Sequence, residues 1–67
     1  MLTISLNGAQ HELVEAISVA ELLAENGYAQ RRVAVEINQE IVPKSEHEQR
    51  QLRDGDRIEV VHAIGGG

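Results

Sequence analysis

The chain has no cysteine, no phenylalanine and no tryptophan, and its aromatic content is a single tyrosine, Tyr28. Without cysteine there is no disulfide to stiffen the fold and no thiolate site for zinc. Without aromatic bulk the core must come from Leu, Ile, Val and Ala, which suit a helix laid on a sheet. Bases are also scarce: 6 Lys and Arg stand against 11 Asp and Glu, for a net charge of −5. Nucleic acid and anionic membrane both demand clustered cations, so neither is predicted as a partner. The acidity suits a basic groove on another protein, and equally serves to keep a small domain in solution. No apolar run approaches the ~20 residues that cross a bilayer, and no basic-then-apolar leader opens the chain. The expectation is a soluble, cytoplasmic protein. At 67 residues the chain is predicted to be one domain with a thin core, in the size range where folds sit near their stability margin.

What is present is clear periodicity. Leu2, Ile4 and Leu6 alternate with Thr3, Ser5 and Asn7, the mark of a half-buried strand. Asn7-Gly8 is a strong two-residue hairpin signal, because both turn positions need positive φ. The return segment, residues 9–14, then pairs Leu2 with Leu13 on the core face and sets His11 opposite Ile4, with its ring edge at the rim. Ser18 and Glu21 have the spacing of a reciprocal cap, and Ile17 with Leu22 that of a hydrophobic staple. Val19, Leu22 and Leu23 form one apolar stripe, and Glu21 and Glu25 face solvent. Asn26-Gly27 ends this helix of about two turns.

Val33, Val35 and Ile37 alternate with Ala34 and Glu36 in a third strand. Asn38-Gln39 reads as a tight turn, and residues 40–42 as a short fourth strand. Pro43 stops that strand and places it at an edge, since proline cannot donate a ladder bond. The Ser-x-x-Glu spacing at Ser45 predicts one helical turn capped by that serine. Asp54-Gly55-Asp56 is a turn. Residues 57–63 are the last strand, with Ile58 and Val60 inward and Arg57, Glu59 and Val61 outward.

Hairpin, helix, hairpin, short turn and strand is an α+β order in which the helix must cross one face of a shared sheet. The final strand lies most simply beside the first, parallel to it. That is the ubiquitin-like β-grasp: a mixed sheet of about five strands with one main helix. The competing split βαβ arrangement needs a second full helix, for which residues 44–52 have too few apolar side chains. The domain is read as residues 1–64, followed by a flexible glycine tail, residues 65–67.

Gly65, Gly66 and Gly67 cannot pack a core and weaken any strand. Their thin backbone suits a narrow channel, and from Ile64 to the carboxylate the reach is at most roughly 13 Å. The α-carboxylate of Gly67 is a poor electrophile until adenylated. A sulfur donor could then displace AMP and leave a thiocarboxylate, a strong, soft nucleophile that needs no cysteine in the chain. Terminal glycines can also be frayed ends; their place directly behind the last strand of a β-grasp favours a working tail. Val61, outward, and Ile64, at the end of the sheet, form a candidate docking pair beside it.

Other chemistries have little support. His11, His47 and His62 have no short-spaced partners for a metal and read as surface or rim residues. Asp54 and Asp56 lack the twelve-residue calcium-loop pattern. No nucleophile elbow or catalytic triad order appears. Lys44-Ser45-Glu46 does not offer the setting of a phosphopantetheine serine.

Three segments carry a resemblance to the ubiquitin-like sulfur carrier family, most closely its thiamine-biosynthesis branch. They are Ile-Ser-Val-Ala-Glu-Leu-Leu from Ile17, Val-Ala-Val-Glu-Ile-Asn-Gln-Glu-Ile-Val-Pro from Val33, and Asp54-Gly55-Asp56 leading to Ile64-Gly65-Gly66-Gly67. The resemblance covers essentially the whole length. It implies a carrier rather than an enzyme, with no bound cofactor. It also implies three partners: a ubiquitin-activating-like adenylyltransferase that consumes ATP on Gly67, a persulfide sulfur donor, and a thiazole synthase that uses the thiocarboxylate. Gly65 and Gly66 would thread into the partner. The small subunit of molybdopterin synthase shares the Asp-Gly-Asp turn and glycine end but commonly approaches its tail through prolines, where this chain has Val61-His62-Ala63-Ile64. A ubiquitin-fold binding module without covalent chemistry, and conjugation to lysines, complete the alternatives.

Overall fold

The computed structural model of the chain describes residues 1–62. It contains strands β1 (Leu2–Leu6) and β2 (Ala9–Leu13), helix α1 (Val19–Glu25), strands β3 (Val33–Ile37) and β4 (Glu40–Val42), a 3₁₀ turn (Lys44–Glu46) and strand β5 (Arg57–His62). The five strands form one mixed sheet in the order β2-β1-β5-β3-β4. β1 and β5 are parallel and every other neighbouring pair is antiparallel. This is the predicted β-grasp, with the last strand in the middle.

Each hairpin closes on a two-residue turn with both residues at positive φ, Asn7-Gly8 and Asn38-Gln39. The first turn sets the predicted register, Leu2 opposite Leu13 and Ile4 opposite His11, and leaves His11 half-buried. Helix α1 begins as the sequence demands. The Ser18 hydroxyl accepts from Glu21 N, and the Glu21 carboxylate accepts from Ser18 N, so two otherwise orphaned donors are satisfied. At the far end Tyr28 N donates to Leu23 O at 2.8 Å and Gly27 N to Ala24 O at 3.4 Å, a Schellman closure that requires Gly27 at φ +84°.

The helix buries Val19, Leu22 and Leu23 against Ile4, Leu6, Val35, Ile37, Ile58 and Val60 from the strands. Leu13, Ile17, Tyr28 and Val33 pack around this aliphatic core. No helix among the described residues is long and apolar enough to cross a membrane.

The segment between β4 and β5 departs from the sequence reading. Ser45 does not cap a helical turn: the 3₁₀ turn starts directly behind Pro43, whose φ of −59° already suits it, and no side chain caps it. His47 is buried, not a rim residue. Its Nε2 lies 3.0 Å from Val42 O and its own carbonyl accepts from Ala20 N at 2.8 Å, so it ties β4 to the start of α1. Leu52 is a core residue at 1% exposure, held by its N–H to Ile17 O. One leucine from this loop thus completes the core.

Candidate functional site

The candidate tail follows β5, so its position depends on what holds that strand. On one side β5 pairs with β3 from Ile37↔Ile58 to Val33↔His62. On the other it pairs with β1 only at Ser5↔Arg57 and Leu6↔Ile58, because β1 ends there. Asn7 then replaces the missing strand: its N–H donates to Ile58 O at 2.9 Å and its Oδ1 accepts from Val60 N at 2.7 Å. Asn38 does the same from the opposite flank, donating to Arg57 O at 2.9 Å and accepting from Arg57 N at 3.0 Å through Oδ1. Both hairpin turns therefore grip the strand that precedes the glycines. Ala63, the expected end of β5, lies outside the described residues, as do Ile64, Gly65, Gly66 and Gly67.

Val61 faces outward as its register predicts, 58% exposed on the face of the sheet opposite α1. Its cross-strand partner is Ala34, and on the neighbouring strand Ile41, 63% exposed, sits opposite Glu36. The sheet order thus sets Val61, Ala34 and Ile41 on one face, with Ala34 directly beside Val61 and Ile41 diagonal to Ala34. In the adjoining row Glu36 lies between Ile41 and Glu59, so this apolar patch is bordered and partly divided by two carboxylates whose like charges repel. Ala34 and Ile41 are not singled out by the sequence, because only the β5-β3-β4 order puts them on one face with Val61.

The remaining polar candidates are used by the fold. Asp54 Oδ1 accepts from Thr3 N at 2.7 Å. Asp56, 5% exposed, accepts from Arg53 N at 2.8 Å and Asn38 Nδ2 at 3.1 Å, and its carboxylate lies 3.7 Å from Arg50. His11 is on β2, His47 lies under β4, and His62 ends β5 with its ring 6.0 Å from that of Tyr28. Among the described residues no group of three His, Asp or Glu could hold a metal ion.

The sequence pattern of the ThiS family matches residues 4–67. The chain is 47% identical over 62 residues to a thiazole synthase of Paramagnetospirillum magneticum, a match covering 92% of this chain and 19% of the synthase. The chain thus spans about a fifth of that relative's length. It is 40% identical over 50 residues to the sulfur carrier protein ThiS of Bacillus subtilis, covering 75% of this chain and 76% of that one. The crystal structure of the thiamine biosynthesis protein ThiS from Geobacter metallireducens superposes with a TM-score of 0.85 at 30% identity, covering 98% of this chain and 100% of that chain. A match that runs from Ile4, in the first strand, to the last glycine, together with a solved ThiS structure that superposes over nearly the whole chain, leaves one conclusion: the chain belongs to the ThiS family.

Proposed function

We propose that the chain carries sulfur on the carboxylate of Gly67 and delivers it to a thiazole synthase for thiamine formation. The observation that supports this most is Gly65-Gly66-Gly67 behind the central, doubly held strand β5, in a chain whose family match extends to Gly67. The carboxylate attacks the α-phosphorus of ATP in the active site of an adenylyltransferase, and pyrophosphate leaves. A persulfide of the donor then attacks the acyl carbon and AMP leaves. A second thiol of the donor cleaves the resulting S–S bond, becoming oxidised to a disulfide, and frees the thiocarboxylate. The chain contributes no catalytic group and no cofactor; ATP is consumed by the activating enzyme. Gly65 and Gly66 offer no Cβ to obstruct a narrow channel.

The Val61, Ala34 and Ile41 patch supplies the apolar contact that positions the tail, and Glu36 and Glu59 call for a basic rim on the partner. Ile64 is proposed to extend this contact. Similarity to a thiazole synthase and to a thiamine-pathway carrier supports the thiamine branch over molybdopterin synthesis.

Incubation of the full chain with the adenylyltransferase, ATP and a persulfide donor is expected to raise the intact mass by the difference between sulfur and oxygen. One residue appended after Gly67 is expected to abolish the gain while the fold persists. Unchanged function after deletion of residues 65–67 would overturn the proposal in favour of a non-covalent module. High-mass adducts through Gly67 would favour conjugation to lysines.

A further inference from the structure

On the helix side of the sheet, away from the Val61 patch, the loop after α1 and the Lys44–Glu46 turn border a groove. Tyr28 and Val33 form part of its floor, and Arg31, Arg32 and Lys44 line it, with Glu48 as the one acid. Three of the 6 Lys and Arg in the chain are thus concentrated here, against one of the 11 Asp and Glu. In a chain of net charge −5 this is a local reversal of sign. Arg32 already has a bonding partner. Arg31 and Lys44 are exposed, and among the described residues neither lies within ion-pair distance of a carboxylate.

The groove adjoins the end of β5. Val33 is the register partner of His62, and the Tyr28 ring lies 6.0 Å from the His62 ring. The five residues from Ala63 to Gly67 span at most roughly 17 Å when extended. A protein that receives this tail in a channel therefore brings the surface around the channel mouth up to the groove and within reach of Arg31 and Lys44.

We propose that this groove is a second docking surface, which receives a carboxylate-rich segment of the adenylyltransferase while the tail is in its channel. The proposal rests on the carrier reading, since it takes the adenylyltransferase as the protein that receives the tail. The two surfaces of the chain then have opposite electrostatic demands: the open sheet face asks for a cation, the groove for carboxylates. Exposed rim charges of this kind act chiefly on the rate of encounter and lose their effect as salt screens them.

The test compares full-length chains carrying Arg31→Glu or Lys44→Glu with Arg53→Glu, a reversal of the same net charge at an exposed site outside the groove. Association with the adenylyltransferase from the same genome is followed by stopped-flow at low and high salt, and sulfur loading by intact mass at saturating enzyme. Each groove reversal is expected to slow association about tenfold at low salt relative to Arg53→Glu, with the gap closing at high salt and loading at saturation unchanged. Equal rates for groove and control variants would overturn the groove as a docking surface while leaving the carrier reading intact. So would a nucleotide source for the anion, seen if inorganic pyrophosphate shifts the groove amides in nuclear magnetic resonance spectra and the groove reversals fail to slow association. Failure of the wild-type chain to gain sulfur would overturn the carrier reading and the groove proposal together. Melting curves matching the wild type exclude unfolding as the cause of any slowing.

Discussion

The two hairpins close on turns of the same geometry made from different chemistry. Asn7-Gly8 places glycine at φ +85°, where it has no steric cost; Asn38-Gln39 places glutamine at φ +72°, where a Cβ is strained by about 1 kcal/mol. The strained turn has the deeper support. Asn7 makes one side-chain bond, to Val60 N, whereas Asn38 makes two, to Arg57 N and to the buried Asp56. Asp56 in turn accepts from Arg53 N and faces Arg50. A turn can therefore be specified by its own backbone preference or by a network imposed from outside, and this molecule uses one solution on each flank of β5.

Breaking the network should separate the two turns most. Asp56→Ala removes the acceptor for Asn38 and Arg53 and leaves Arg50 without its carboxylate, so a loss of about 3 kcal/mol is expected in urea unfolding. Amide exchange is expected to accelerate at Asn38 and Arg57, whose N–H groups are bonded within this network, while Asn7 and Val60 keep their protection. Asn38→Ala is expected to cost about 2 kcal/mol and Asn7→Ala about 1 kcal/mol, in proportion to the side-chain bonds each loses. Equal losses would mean that the β3–β4 network adds nothing beyond the turn itself.

Glycine swaps sharpen the same contrast with smaller effects. Gln39→Gly relieves the left-handed glutamine and is expected to stabilise by about 1 kcal/mol, and Gly8→Ala to destabilise by about as much, both by thermal melting. The smallest effect is reserved for Arg50→Gln. Its ion pair with Asp56 is partly exposed on the arginine side, so no more than about 0.5 kcal/mol should be lost, and less in high salt.

The sequence made the local elements readable because each is governed by neighbours in the chain. Alternation gave the strands and their faces, the Ser18–Glu21 spacing gave the start of α1, and Asn7-Gly8 gave the first register. Val61 could be read as outward for the same reason. Residues whose environment is assembled from distant segments could not be read. His47 looked like a surface residue until β4 and α1 closed over it, and Ser45 looked like a cap until Pro43 began the turn earlier. Leu52 stood alone in a polar loop, with nothing local to reveal that it plugs the core. Ile41 joins Val61 only through the sheet order, and Arg31, Arg32 and Lys44 meet only where the loop after α1 approaches the 3₁₀ turn. The carrier chemistry proposed above rests, by contrast, on three consecutive glycines, because it needs main chain and little else.

The central place of β5 has a mechanical consequence. A partner that draws the C-terminal residues into its interior pulls along the axis of a strand stitched on both flanks. The stitches run across the direction of the load, so they share it as a rivet line in shear does, instead of opening one after another like a zipper. In the proposed carrier role, a chain seized by its end and released again on every turnover would gain from having that end rooted where traction is least able to unravel the body behind it.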